Sequence, residues 1–272
     1  MATSVQWQLA HDAAVRYEQI LVPSILGPFA RALVDWAQLP VGDTVLDVGC
    51  GTGAAARAAA ERVGPAGSVT AVDVNPGMLD VARSLPPVRG APITWREGSA
   101  YQLPLPDRSV EHVICAQTLQ FLETPGLALA EMHRVLKAGG RVALSVWCPI
   151  RENPYFHALV DAVAHYIDPD TAKGLGAAFA LTDADRVVAL LHGAGFSTFE
   201  VAPWTIELDL PALDTFVPRH ISATPMSPGY SAAPPARQAA VVADVAARLA
   251  HFAASDGQVR IPFRSYFVAG RS

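Results

Sequence analysis

The chain has 272 residues, 51% of them hydrophobic and 17% charged, with a formal net charge of −5. This balance suits one large α/β domain with additions and excludes a disordered or fibrous chain, while two equal domains would be a tight fit. A negative chain with no run of Lys and Arg is poorly matched to a phosphate backbone, so no nucleic-acid partner is expected.

In chain order, the first twenty residues carry Asp12, Arg16 and Glu18 and no continuous apolar stretch. They read as neither a secretory signal nor a membrane span, and a cytoplasmic location is expected. From Trp7 to Leu39 the apolar Tyr17, Leu21, Ile25, Phe29 and Leu33 recur at helical spacing, interrupted by Pro23 and Gly27-Pro28. Two helices or one broken helix follow from that pattern.

The period then changes. Residues 44–48 form a short apolar run between Gly42 and Gly49, as a buried parallel strand requires. An Ala-rich helix (54–63), strand (68–73), helix (76–85), strand (92–96), strand (109–115), helix (124–136) and strand (141–147) complete an alternation that implies right-handed crossovers and a parallel sheet.

Beyond Trp147 the pattern loosens. Asn153-Pro154 suits the N-cap and first turn of a helix with Phe156, Leu159, Val160 and Val163 on one face. A second helix is expected from Thr182, with Asp185 in a capping-box-like position, to Gly193 and Gly195. Two β-like runs, 197–208 and 259–268, flank about fifty residues holding a Pro- and Ser-containing stretch (222–235) and a helix near 236–253. That piece reads as an insertion between the strands of a hairpin. Cys50, Cys115 and Cys148 are odd in number, widely spaced and set in apolar runs, which fits buried thiols better than a disulfide framework or zinc site.

The most informative segment is VLDVGCGTG, residues 45–53: a strand running into a glycine loop and then a helix. Glycines at 49, 51 and 53 permit a tight turn and let a ligand lie on the backbone at a helix N-terminus. Gly49, Gly51 and Ala54 also satisfy a loose dinucleotide pattern, so an NAD-dependent oxidoreductase is an alternative. Asp47 argues against it, because a carboxylate at the strand tip repels a pyrophosphate and attracts a cation. S-adenosylmethionine is cationic and free of phosphate. Asp73, ending the next strand, is placed to accept from both ribose hydroxyls of an adenosine.

VLDVGCGTG, then VTAVDVNPGMLDVAR (69–83), GSAYQLPLPDRSVEHVICAQTLQFL (98–122) and EMHRVLKAGGRVALSVW (131–147) resemble, in order and spacing, the class I S-adenosylmethionine-dependent methyltransferases. The similarity is greatest to the small-molecule branch that includes ubiquinone- and menaquinone-biosynthesis-type enzymes. It implies a Rossmann-like seven-stranded, mostly parallel sheet flanked by helices, built here from core 41–150 and its remainder in 151–272. N-terminal helices (1–40) and an insertion at about 211–257 would cap it within a single structural domain. It also implies that Asp47 and the loop of Gly49, Cys50, Gly51 and Gly53 face the methionyl part, that Asp73 holds the ribose, and that Ser99 and Ala100 flank the adenine; Val74, Met78 and Tyr17 are further candidate cofactor contacts, with Met78 placed to cover a face of the adenine. Gln117 would lie beside the methionine moiety. Many relatives carry an acid where this chain has Ser99, whose hydroxyl or backbone is then left to meet the adenine.

The expected reaction is methyl transfer to a small organic acceptor by in-line displacement, leaving S-adenosylhomocysteine. Positioning alone supplies on the order of 7–11 kcal/mol to such a step, so no obligatory acid or base is required. A protein that binds the cofactor without methylating is a second alternative. Cys115-Ala-Gln-Thr118 differs from the tetrapeptide of enzymes that methylate amino groups of bases or glutamine, and it lacks the acidic cluster a divalent metal needs, so no metal is expected. Candidate acceptor contacts are Tyr17, Gln120, Phe121 and His220, with Gln120 and His220 the candidate catalytic residues. Trp147, Phe156, Phe179 and Trp204 are candidates for an apolar pocket wall. The protein would act as a monomer or homodimer.

Overall fold

A computed structural model describes residues 11–253 and 259–272. The expected helical run from Trp7 begins outside them. Within them it is continuous: α1 (His11–Arg16) passes into a π-helical stretch (Tyr17–Leu26) and then α2 (Gly27–Ala37). The anticipated break is absent because the wide turns absorb the prolines. Pro23 lies inside the π stretch, and the Gly27 amide reaches back five residues to Val22. By length and composition alone, Asp12–Ala37 could cross a membrane. Here its Ile25, Phe29 and Leu33 are buried in the core.

Seven strands form one sheet in the order β3-β2-β1-β4-β5-β7-β6: β1 (Thr44–Val48), β2 (Ser68–Asp73), β3 (Ile93–Glu97), β4 (Val110–Ala116), β5 (Leu136–Trp147), β6 (Ser197–Leu210) and β7 (Val259–Arg271). Pairings among β1 to β5 are parallel, and β7 runs antiparallel between β5 and β6. The crossover helices are α3 (Ala54–Val63), α4 (Pro76–Ser84) and α5 (Pro125–Val135). Val48, Leu46, Val113 and Leu144 are fully or almost fully buried, as central parallel strands covered on both faces should be.

α6 (Pro154–Tyr166), α7 (Pro169–Gly176) and α8 (Ala184–Gly193) follow β5. Asn153 precedes α6, yet its side chain does not cap the helix. Its Nδ2 donates to the carbonyls of Cys148 and Arg264, and its Oδ1 accepts from the Arg264 amide at 2.8 Å. The buried carboxamide thus ties the exit of β5 to β7. α7 was not anticipated, since its apolar face is only Ala172 and Leu175. α8 starts after Asp183, not at Thr182, because Asp183 accepts from the amides of Asp185 and Arg186.

Between β6 and β7 lie α9 (Leu213–Ser222), α10 (Ser227–Ala232) and α11 (Pro235–Leu249). The Pro- and Ser-containing stretch 222–235 contains a helix, and α11 ends four residues before 253. Arg16 donates to the carbonyl of Ser222 at 3.0 Å, joining the N-terminal helix to α9 across the top of the sheet.

Candidate active site

The C-terminal ends of β1, β2 and β4 open onto a cleft of about 810 Å³. Asp47, Asp73 and Ala116 stand at those ends. The intervening turns need glycine: Gly49, Gly51 and Gly53 have φ of +68°, +54° and +92°, a region L side chains rarely enter. The three differ in what occupies the space of a Cβ. At Gly49 it would fall 2.2 Å from Thr118 Cγ2, and at Gly53 2.3 Å from the Trp95 ring. At Gly51 it would enter the cleft, its nearest neighbour the Tyr17 hydroxyl at 3.9 Å.

Gly53 does not line the cleft; its missing side chain admits the Trp95 ring, and it precedes α3. Gly49, Gly51, Asp73, Val74, Met78, Ala100, Gln117 and Tyr17 all line the cleft. Asp47 and Cys50 border an adjoining recess of about 400 Å³ that shares Tyr17, Gly49 and Gln117 with it. Ser99 is absent from the lining: its hydroxyl accepts from the Tyr101 amide at 3.2 Å, an ordinary side-chain turn. Its neighbours Gly98 and Ala100 reach the cleft instead. Asn75, Gly98, Thr118 and Leu122 also line it without having been singled out. Asn75 was legible only as a helix cap, accepting from the amides of Gly77 and Met78.

The two carboxylates have different surroundings. Asp73 Oδ2 accepts from the Gly51 amide at 2.7 Å and Oδ1 from Asn75 at 2.8 Å, so it braces the glycine loop. A carboxylate has more acceptor sites than these two amides use. Burial raises its pKa and the backbone amides oppose that. Asp47 is 1% exposed and neither oxygen has a hydrogen-bond partner. Burial pushes its pKa up to about 7, with the nearby Ala56 amide opposing and Asp73 adding to the rise. Tyr17 is likewise raised, by burial and by Asp73, Glu18 and Asp47.

A second cavity of about 500 Å³ lies between the N-terminal helix, the turn after β4, and helices α6, α7 and α9. Tyr17, Gln117 and Phe121 line both it and the cleft. Gln117 has φ of +52°, strained for a non-glycine residue. Its amide donates to the Ser145 carbonyl at 3.0 Å and its Nε2 to Ser265 Oγ at 2.8 Å, which holds that geometry. Gln120, Trp147, Phe156 and His220 line the second cavity. Phe179 and Trp204 do not. Phe179 stacks on Trp147 with centroids 6.4 Å apart, and Trp204, on the edge strand β6, stacks on Phe267 and is 36% exposed.

Burial pushes the pKa of the His220 imidazole down to about 3. The three cysteines are free and buried, and burial raises the Cys115 thiol to about 12. Among the described residues no group of three or more His, Cys, Asp or Glu side chains is arranged to hold a metal ion.

Residues 46–144 match the family model of a methyltransferase domain. An arsenite methyltransferase of Halobacterium salinarum is 34% identical over 169 residues, 62% of this chain and 41% of that protein. A ubiquinone/menaquinone biosynthesis C-methyltransferase of Stenotrophomonas maltophilia is 36% identical over 145 residues, 53% of this chain and 57% of that protein. The chain thus spans about half the length of the curated relatives it matches. Among solved structures, phosphoethanolamine N-methyltransferase 2 of Haemonchus contortus, in complex with phosphomonomethylethanolamine and S-adenosylhomocysteine, superposes with a TM-score of 0.61 at 17% identity, covering 97% of this chain and 58% of that one. At that identity the likeness concerns the fold. The match over residues 46–144 is thus to a methyltransferase domain, and the seven-stranded sheet has the Rossmann-like fold of the solved methyltransferase structures.

Proposed function

We propose that this protein binds S-adenosylmethionine in the cleft and transfers its methyl group to a small organic acceptor held in the second cavity. The observation that carries the reading is the junction of the two spaces at Tyr17, Gln117 and Phe121, with a buried, unpartnered carboxylate beside the cleft at Asp47. The residues present fit the cofactor. Asp47 offers two unmet acceptors to a cationic methionyl group. Gly51 leaves bare backbone where a side chain would intrude, and Asp73 retains lone pairs for ribose hydroxyls. Val74, Met78, Gly98 and Ala100 would enclose the adenine, with Gly98 and Ala100 taking the place expected of Ser99.

When bound, the cofactor supplies an electrophilic methyl carbon on a positively charged sulfur. The protein's share is positioning and exclusion of water. Gln117, locked by Ser145 and Ser265, and Phe121 form the threshold between donor and acceptor, and Tyr17 closes it from the N-terminal helix. No metal enters the scheme. A pyrophosphate would meet the Asp47 charge unfavourably, which weighs against the NAD alternative. Among the described residues the capping pieces are 11–40 and 211–253, the rest of the expected 1–40 and 211–257 lying outside them, and the protein is taken to act in the cytoplasm as a monomer or homodimer.

Calorimetry with S-adenosylmethionine and with NAD tests the site, and release of S-adenosylhomocysteine across an acceptor library tests the reaction. Binding of NAD but not S-adenosylmethionine would overturn the proposal. Binding without turnover of any acceptor would support the alternative of a non-methylating cofactor-binding protein.

A further inference from the structure

Among the described residues, the polar side chains that line the cleft are Tyr17, Asp73, Asn75, Gln117 and Thr118. Gln117 and Thr118 stand in the turn after β4, on the far side of β1 from β2. Gln117 is tied to Ser265 and Gln120, and Thr118 Oγ1 lies 3.0 and 3.1 Å from the carbonyls of Gly49 and Ala116. Tyr17 holds its hydroxyl beside Gly51, in the loop after β1. Asp73 ends β2, and Asn75 Oδ1 accepts from the amides of Gly77 and Met78 at 2.9 and 3.3 Å. A cofactor with its cationic end by Asp47 and its ribose at Asp73 runs from β1 to β2, which brings its base over the β3 side of the sheet. The lining on that side is Val74, Met78, Gly98 and Ala100, none of whose side chains carries an oxygen or nitrogen. Met78 packs with Val81 and with Ala14 of α1, so this wall is apolar. Ser99, between the two small residues, closes a tight turn instead: its Oγ accepts from the Tyr101 amide at 3.2 Å and its carbonyl from the Gln102 amide at 3.1 Å.

We infer that the cleft holds the base of the cofactor by shape and apolar contact without reading its 6-amino group, and so takes cofactors built on other purines that differ at position 6. This deepens the methyltransferase reading and rests on it. A purine keeps its faces, and the burial they supply, when its 6-substituent is changed. Val74 is 38% exposed, so this end of the cleft meets solvent and an unread amino group keeps its water. The ribose is held in another way. Its hydroxyls meet the Asp73 carboxylate, and losing a hydrogen bond to a charged group costs about tenfold or more in affinity. Selectivity in the cleft is thus concentrated at the sugar and the charged tail.

The test is calorimetric binding, at pH 7.5, of S-adenosylhomocysteine, of its analogue with unsubstituted purine in place of adenine, and of its 2′-deoxy analogue. The wild-type protein should bind the purine compound within threefold of S-adenosylhomocysteine and the 2′-deoxy compound at least fivefold more weakly. Ser99→Ala should leave the affinities for S-adenosylhomocysteine and for the purine compound each within twofold of wild type. A purine compound bound more than threefold more weakly by wild type would overturn the inference, because some acceptor would then be reading the amino group. So would a Ser99→Ala protein that loses affinity for S-adenosylhomocysteine and not for the purine compound, which would assign that reading to the Ser99 hydroxyl. Should Ser99→Ala fail to fold, the two wild-type comparisons decide. Equal binding of the 2′-deoxy compound would take the ribose away from Asp73 and overturn the placement of the base with it. Failure of S-adenosylmethionine and S-adenosylhomocysteine to bind the wild type would instead strike the methyltransferase reading itself.

Discussion

Replacing Asp47 by Asn should act in opposite directions on stability and on cofactor binding. The carboxylate is 1% exposed and unpartnered, and its pKa is raised from 3.8 to about 7. Between those values the folded protein keeps a proton that the unfolded chain has released, so the ligand-free protein loses stability as pH rises through the window and levels off above it. A gap of about three units at 1.36 kcal/mol each makes the loss about 4 kcal/mol at pH 8 and under about 1 kcal/mol near pH 4. Asn does not titrate. Its buried amide costs roughly 1–3 kcal/mol at every pH, so the informative quantity is the pH dependence of the difference between the two proteins. Urea unfolding from pH 4 to 8 without cofactor should show the variant gaining about 3–4 kcal/mol on wild type across the range. At pH 8 the same variant should bind S-adenosylmethionine at least tenfold more weakly, having lost a charged partner worth on the order of 1.5–3 kcal/mol. A difference in stability that stays flat with pH would refute the reasoning.

Binding of S-adenosylmethionine by wild type near pH 6 should release protons as the cation draws Asp47 into its charged form, read as a reaction heat that varies with buffer ionisation enthalpy. Asp47→Asn should abolish most of that release. Asn153→Ala should cost about 3 kcal/mol in chemical denaturation by leaving the Cys148 and Arg264 backbone groups bare, with cofactor affinity within threefold. Gly49→Ala should lose at least about 2 kcal/mol, from positive φ and from the Thr118 clash, and Thr118→Ala should recover part of it. Asp73→Ala should weaken S-adenosylmethionine binding by at least about 1 kcal/mol and loosen the Gly51 turn it braces, seen as faster amide exchange there.

The alternating half of the chain was legible because period and punctuation agree: apolar runs such as 44–48 end in glycine, and the Ala-rich run 54–63 has no competing signal. The acids at positions 47 and 73 stood out for the same reason, Asp73 closing its strand and Asp47 standing one residue from the end of its own. What escaped depended on contacts far along the chain. Gly53 looks like its neighbours in the loop, and only the approach of Trp95 from β3 shows why it is glycine. Asn153 carries a local cap signal, yet β7 lies 111 residues away and wins its side chain. Pro23 reads as a breaker because a pattern of 3.6 residues has no place for a π turn. Gln120 and His220 were candidates on position alone. That they line one cavity follows only when α9 folds back over the turn after β4.

The placement of β7 carries a consequence for how the molecule is made. It lies inside the sheet, hydrogen-bonded to β5 on one side and β6 on the other, although residues 259–271 follow every other strand in chain order. While a ribosome is still delivering the insertion helices, β5 has one ladder of backbone groups with nothing to pair, and β6 has no neighbour at all. The nascent polypeptide therefore carries two strands with open edges until β7 threads between them, and that interval is when it is most exposed to mispairing with other chains.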